Sequence, residues 1–143
     1  RRLPRRRRVG RGRRGARIRR DDRGHHKKLI DALRWHLAWG ERAAWLQRVY
    51  EEEGGPLPKA LADKPSIPPE LALYWRAFDD LRGDRMNDLG GLGAIWWSSI
   101  AAYADRIGIV GIDALERFVA IIKAMDGEYR DFAVKQAKRT QKK

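Results

Sequence analysis

Apolar residues recur at three- and four-residue spacing between residues 27 and 53, which predicts an amphipathic helix. The residues that carry this first stripe are Ile30, Leu33, Leu37, Ala44, Trp45 and Val49. Gly40 interrupts the pattern and predicts a bend or a break there, since glycine is a poor helix former. The sequence Gly54-Gly55-Pro56 ends the helix.

Three more segments of the second half carry the same helical period. Their apolar stripes are Leu71, Tyr74, Trp75, Phe78 and Leu81; then Ile100, Tyr103, Ala104 and Ile107; and then Leu115, Phe118, Val119, Ile122, Met125 and Tyr129. Pro69 favours the start of the helix that contains Tyr74 and Phe78. Ser98 or Ser99 favours the start of the helix that contains Ile100 and Tyr103. Gly108 is placed to end the helix that contains Ile100 and Tyr103. The glycine-rich stretch 84–94 predicts a loop.

These patterns predict an all-α fold, a small bundle of about four helices. The chain divides into a disordered Arg-rich arm (1–26), an N-terminal helix (27–53), a Pro-rich linker (54–69), a helical domain (70–134) and a basic tail (135–143). The linker contains five of the six prolines, which favours an extended segment.

Charge is concentrated at the N-terminus. Residues 1–28 contain fifteen Lys and Arg against two Asp, which equals the whole net charge of +13. The segment 29–134 is mildly acidic, and a smaller basic cluster follows it. The high isoelectric point therefore describes the two ends of the chain and does not indicate a basic face on the folded part.

Two interpretations of the arm remain open. Dense arginine can neutralise phosphates, which predicts salt-sensitive binding of nucleic acid; the candidate residues are Arg5, Arg6, Arg7, Arg8, Arg11, Arg13 and Arg14. The arm contains no aromatic residue on which bases could stack. Alternatively, a run of Arg and Gly without an initial Met is typical of a GC-rich gene translated outside its usual frame.

No catalytic, cofactor-binding or metal-binding pattern is found, so we expect a protein that is not an enzyme. His25, His26 and His36 lack the spacing of metal ligands, and there is no cysteine. The acidic residues around Asp84 do not follow the calcium-loop pattern. The glycines of 90–93 lack the Lys-Ser/Thr of a phosphate-binding loop. No apolar run is long enough to span a membrane.

Six tryptophans are many for a chain of this length. Trp35 and Trp39 lie largely off the apolar stripe of the first helix, so this helix is apolar on two sides. A second apolar side suggests a surface for a partner protein or for another copy of the chain. The predicted partner-binding residues are Trp35, Trp39, Trp45 and Trp96. The alternative is that these side chains fill the core.

The residues from Pro65 onwards resemble a known family. The motifs that carry the resemblance are Pro68-Pro69 with Leu71, Tyr74, Trp75, Phe78, Leu81 and Arg85; Ile95, Trp97, Ile100, Tyr103 and Ala104; and Phe118, Val119, Ile121, Ile122, Ala124, Met125, Asp126 and Tyr129. The segment 65–132 is similar to the small tail assembly chaperones of long-tailed phages and of gene transfer agents.

The resemblance implies a helical, non-catalytic protein that binds the tape measure protein or tail tube subunits in the bacterial cytoplasm. Several members are made by ribosomal frameshifting, which fits a chain that lacks an initial Met. The motif residues Trp97, Tyr103, Met125, Asp126 and Tyr129 are then expected to pack in the core. The first helix and the arm depart from the family pattern. The alternative hypothesis is a nucleic-acid-binding protein that uses the Arg-rich arm on a helical body.

Overall fold

The structure of the chain, a computed structural model, describes residues 20–88 and 90–142 and is mostly helical, as the sequence predicts. The α-helices are α1 (Arg20–Glu53), α2 (Lys59–Ala62), α3 (Ala72–Leu81), α4 (Trp97–Arg106) and α5 (Ile112–Gln141). A 3-10 turn (Pro69–Leu71) precedes α3, and two strands, β1 (Arg85–Asp88) and β2 (Gly91–Ile95), separate α3 from α4.

The first helix is longer than predicted. It begins at Arg20, seven residues before the expected start, because adding residues to an existing helix costs little once the first turn has formed. The break expected at Gly40 does not occur, and α1 continues through it. A Cβ on Gly40 would lie 3.1 Å from the ring of His36, so glycine here leaves room for that side chain.

The Pro-rich linker folds back on α1 and is not extended throughout. It contains the single turn of α2, which contacts α1. Its end forms the 3-10 turn that buries Leu71, and Pro69 and Glu70 occupy the first positions of that turn. The α-helix itself starts only at Ala72.

The loop predicted over residues 84–94 is wrong, because β1 and β2 form an antiparallel hairpin there. Arg85 pairs with Ile95, and the register shifts before Asn87. Gly93 permits this irregular pairing, since a Cβ at that position would lie 2.4 Å from the carbonyl oxygen of Met86. Helical periodicity could not indicate strands this short and glycine-rich.

The serine caps expected for α4 are not used. Trp96 is extended and occupies the N-cap position without a side-chain hydrogen bond, so the helix begins at Trp97. The predicted ending is confirmed: Gly108 has φ +80°, and its N–H donates to the carbonyl of Asp105 at 3.0 Å. The N–H of Ile109 donates to Ala104, which completes a Schellman motif.

The last helix also exceeds its prediction, since α5 runs through most of the expected basic tail to Gln141. Lys, Arg, Gln and Ala are good helix formers. Lys138 and Arg139 in the last turn favour the helix further, since cations complement the negative end of the helix dipole.

The core lies around α5, which contacts α1, α3, α4 and β2. Its large buried side chains are Leu29, Leu33, Leu71, Phe78, Leu81, Ile95, Ile100, Phe118, Ile121, Ile122 and Met125. Phe118 stacks on Tyr103 at 6.4 Å between ring centroids and tilts against Tyr74 at 5.8 Å, which joins α3, α4 and α5.

Candidate functional site

Among the residues whose burial the structure describes, one carboxylate lies inside the core. Asp126 is on the buried face of α5 and is 2% exposed. Its Oδ1 lies 2.7 Å from Nη1 of Arg85, and its Oδ2 accepts the backbone N–H of Ile95 at 3.2 Å. Arg130, one helical turn further, approaches Oδ2 at 3.3 Å. A buried carboxylate needs such partners, because its transfer from water is costly.

The guanidinium of Arg85 crosses from β1 to α5. Its Nε donates to the carbonyl of Arg82 at 2.6 Å, and Nη1 also lies 3.1 Å from the carbonyl of Gly93. Its carbon lies 5.2 Å from the ring centroid of Tyr129, a cation–π distance. Arg85 and Asp126 have side chains only 2% and 3% exposed, so the pair cannot meet a substrate. Its role is structural: it fixes the hairpin to α5.

Sequence reasoning placed both residues in the family motif but did not pair them. Asp126 continues an otherwise apolar stripe after Ile122 and Met125, and a charge on a buried helix face needs an opposite charge nearby. That signal predicts a buried cation. It does not select Arg85 from the other arginines of the chain.

The buried pair positions two exposed tryptophans. Ile95, held by Asp126, is followed directly by Trp96 and Trp97, whose exposed fractions are 48% and 54%. Met86 on β1 is also exposed. The expectation that Trp97 packs in the core is therefore wrong: it opens α4, and the residues of this helix that face the core come later.

The other motif residues pack as expected. Met125 is fully buried, and Tyr103 and Tyr129 are partly buried against the core. The Tyr129 ring lies edge-on to Phe78 at 6.0 Å. The resemblance motifs, which are distant in sequence, thus meet in one core.

The tryptophans of α1 differ from one another. Trp35 is used within the chain: its indole N–H donates to the carbonyl of Ala60 at 2.8 Å, and Lys64 lies 5.4 Å from its ring centroid. It therefore anchors α2 on α1. Trp39 is partly exposed and Trp45 is 55% exposed. Of the four predicted partner-binding residues, Trp39, Trp45 and Trp96 are open to a partner.

A cavity of about 140 Å³ lies between α1, α3 and α5. Leu33, Trp75, Phe78 and Tyr129 form part of its wall. The ring of His36, also in the wall, lies edge-on to Trp75 at 5.7 Å. Sequence periodicity did not predict this cavity, since its wall comes from three helices.

Polar contacts at the surface involve the acidic residues near the end of α3. Asp79 pairs with Arg82 at 3.0 Å, and Asp80 accepts the Tyr103 hydroxyl at 2.6 Å. That hydrogen bond to a carboxylate raises the pKa of Tyr103, because it stabilises the protonated phenol. These carboxylates therefore serve helix contacts and do not form a joint cation site.

A bidentate ion pair ties α1 to α5. Nε and Nη2 of Arg34 donate to the two carboxylate oxygens of Glu128 at 2.7 and 2.9 Å. The hydrogen bond from Arg34 is the main cause that lowers the pKa of Glu128. The pair fixes the position of α1 against α5.

Within residues 20–88 and 90–142, no three His, Asp or Glu side chains are grouped closely enough to hold a metal ion. Over the same residues, no helix has the length and apolar character needed to cross a membrane. The candidate nucleic-acid-binding residues lie outside the described residues. They are Arg5, Arg6, Arg7, Arg8, Arg11, Arg13 and Arg14.

Comparison with known proteins agrees with the resemblance. The family model of the phage tail assembly chaperones matches residues 50–131, which are 82 of the 143 residues. The matched region contains Arg85, Asp126 and the exposed pair Trp96 and Trp97. No curated protein and no solved structure shows a significant match. Since the family model covers more than half of the chain, the chain belongs to the phage tail assembly chaperone family.

Proposed function

We propose that this protein is a non-catalytic chaperone that binds the tape measure protein, or tail tube subunits, while phage tails assemble in the host cytoplasm. Membership of the family supports the chaperone role. The identity of the partner is inferred from the resemblance described above. Binding of nucleic acid by the Arg-rich arm would be a separate activity, and this function does not need it.

The observation that carries the proposal is the exposure of Trp96 and Trp97 directly after β2, together with that of Met86 on β1. These three residues of the hairpin and its exit are named here the hairpin surface. It lies inside the region shared with the family, whereas Trp39 and Trp45 precede that region. Two half-exposed indoles next to each other in the chain leave a large aromatic area in water, and exposed apolar patches commonly mark interaction sites.

The hairpin surface is suited to an amphipathic helix. A long coiled partner exposes apolar helix faces before tube subunits surround it. Trp96 and Trp97 could cover such a face in the way that a hydrophobic surface binds a helix. The buried pair of Arg85 and Asp126 would keep both indoles in place, because it fixes Ile95 immediately before them. Preorganisation of this kind lowers the entropic cost of binding.

Co-expression tests the proposal. The full chain is produced together with the tape measure protein encoded beside it, and in a second culture with the tail tube protein. The soluble fraction of each partner is then measured. We expect the chaperone to raise the soluble fraction of one partner at least severalfold. The double variant Trp96→Ser/Trp97→Ser should lose this effect, because it removes the apolar surface without touching the core.

Trp45→Ser is the matched control, because Trp45 is equally exposed but lies outside the family-matched region. It should retain the full effect. A wild-type chain that solubilises neither partner would contradict the proposed function. An unchanged effect in the double variant would show that the partner binds elsewhere.

A further inference from the structure

The basic segments near the two ends of the chain are helical where the structure describes them. α1 begins at Arg20, so Arg23, Lys27 and Lys28 lie in its first turns. α5 continues to Gln141 and contains the C-terminal basic cluster. The cations of both segments therefore belong to helices of the bundle.

The direction of α5 relative to α3 follows from two aromatic contacts. Tyr74 packs against Phe118 at 5.8 Å between ring centroids. About one turn later on α3, Phe78 packs against Tyr129 at 6.0 Å, further along α5. The two helices therefore run in the same direction.

α1 runs in the opposite direction. His36 meets Trp75, in the first half of α3, at 5.7 Å between ring centroids. About one turn earlier on α1, Leu33 lines the cavity together with Phe78, which is further along α3. Since α1 is antiparallel to α3 and α5, the start of α1 and the end of α5 lie at the same end of the bundle.

The positive charge at this end of the bundle is not balanced within the chain. Residues 1–28 carry a net charge of +13 and residues 135–143 one of +5, whereas residues 29–134 carry only −5. Lys27 pairs with Asp31 at 2.7 Å. The cations of the two helix ends that form no ion pair with a side chain that the structure describes are Lys28, Lys135, Lys138, Arg139 and Lys142.

We infer that this end of the bundle, residues 20–28 of α1 with 135–142 of α5 and named here the basic end, binds the phosphate backbone of a double-stranded nucleic acid. Duplex DNA carries one negative charge per about 1.7 Å of its axis, a density that suits closely spaced cations. Lys135, Lys138 and Lys142 are three and four residues apart, so they share one face of α5 and can contact neighbouring phosphates.

The residue types of the basic end favour a duplex over a single strand and over a membrane surface. Residues 1–28 and 133–143 contain no Phe, Tyr or Trp, so the bases of a single strand would have no side chain on which to stack. Residues 135–143 contain no large apolar side chain that could enter a lipid headgroup layer. Contacts to phosphates carry no sequence information, so binding should not depend on the base sequence.

The inference is independent of the proposed chaperone function. Residues 20–28 and 135–142 lie outside the family-matched residues 50–131 and include no part of the hairpin surface. The double variant Trp96→Ser/Trp97→Ser should therefore bind a duplex as the wild type does.

Fluorescence anisotropy with a labelled DNA duplex of mixed sequence, measured at several salt concentrations on the full chain freed of nucleic acid, tests the inference. We expect the logarithm of the association constant to fall linearly with the logarithm of the salt concentration. Lys135→Gln/Lys138→Gln/Lys142→Gln should reduce this slope by about 2–3, since each phosphate contact contributes about 0.9. Its Kd at about 0.1 M salt should rise at least tenfold. Glutamine favours a helix nearly as well as lysine, so α5 should keep its structure.

Arg42→Gln/Arg48→Gln/Lys59→Gln is the matched control, because it removes the same charge from exposed positions in the second half of α1 and on α2. It should keep the wild-type slope. Unlabelled duplex should displace the labelled duplex at a lower concentration of charge than a single strand, phosphatidylserine vesicles or polyglutamate.

Three outcomes would overturn the inference. One is a wild-type chain that does not bind the duplex. Another is the same slope in both triple variants, which would assign all binding to residues outside the basic end. The third is displacement of the labelled duplex by the single strand, the vesicles or polyglutamate at a lower concentration of charge than by unlabelled duplex.

Discussion

Replacing the buried Asp126 by leucine should destabilise the protein more than a single change of any exposed residue of α5. The substitution leaves the guanidinium of Arg85, 2% exposed, with only the carbonyls of Arg82 and Gly93 as acceptors. Breaking a buried ion pair on one side costs about 3–5 kcal/mol. A domain of this size has a free energy of unfolding of about 5–15 kcal/mol, so the variant should fold with a small margin.

Arg85→Met should cost less, because Asp126 would keep Arg130 at 3.3 Å and the N–H of Ile95. The double variant Arg85→Met/Asp126→Leu should cost clearly less than the two single changes together, since it leaves no buried charge. Urea unfolding followed by far-UV circular dichroism measures each value. Asp131→Leu, an exposed change on the same helix, serves as the control and should stay within about 0.5 kcal/mol.

Two results would refute this reasoning. A loss below about 1 kcal/mol in Asp126→Leu would mean that the buried pair contributes little. Additive effects in the double variant would mean that Arg85 and Asp126 are not coupled.

Three further predictions concern the hairpin, the interior of α5 and the junction of α1 with α5. Gly93→Ala should destabilise by about 1–3 kcal/mol in urea unfolding, because its Cβ would lie 2.4 Å from the Met86 carbonyl oxygen. Gly127 lies within α5, and a Cβ there would have no heavy atom within 4 Å. Gly127→Ala should therefore stabilise the protein by about 0.5–1 kcal/mol, since alanine favours a helix over glycine, and a loss of stability would contradict this expectation. Arg34→Gln should cost up to about 1 kcal/mol at pH 7, a modest value because Arg34 is largely exposed. Since Arg34 lowers the pKa of Glu128, that cost should vanish as the pH falls through the folded-state pKa of Glu128, and a cost that persists once Glu128 is protonated would argue against the pair.

The helices α1, α3, α4 and α5 could be predicted because each has an apolar face of sufficient length, which the single turn of α2 lacks. The stripe through Phe118, Ile122 and Met125 reappears as the centre of the core. Helix ends were predicted where glycine requires a particular backbone, as at Gly108 with its positive φ. The start of α4 at Trp97 was not predicted. It is decided by β2, which tertiary contacts hold in place immediately before the helix.

The hairpin could not be predicted from its own residues. Its strands have four and five residues, with three glycines in and around the turn, and no alternating pattern. Its stability comes from α5, through the long-range contact of Arg85 with Asp126. A pair separated by forty residues in sequence leaves no periodic signal in either segment.

The candidate surface was predicted only in part. An excess of tryptophan indicated apolar surface, but sequence alone did not separate Trp35, which anchors α2, from Trp96, which is exposed. The distinction depends on whether the linker returns to α1, and that is decided by packing. Trp97 was assigned to the core from its position in the family motif, and a motif position does not show which of its residues face solvent.

Hydrogen exchange of the full chain, alone and with the tape measure protein proposed as its partner, tests the central claim most directly. Binding should slow exchange in β2 and the first turns of α4, around Trp96 and Trp97. The last turns of α1, around Trp45, should change little. Protection confined to α1, or no protection in any segment at saturating partner, would contradict the claim that the hairpin surface is where this chaperone holds its partner.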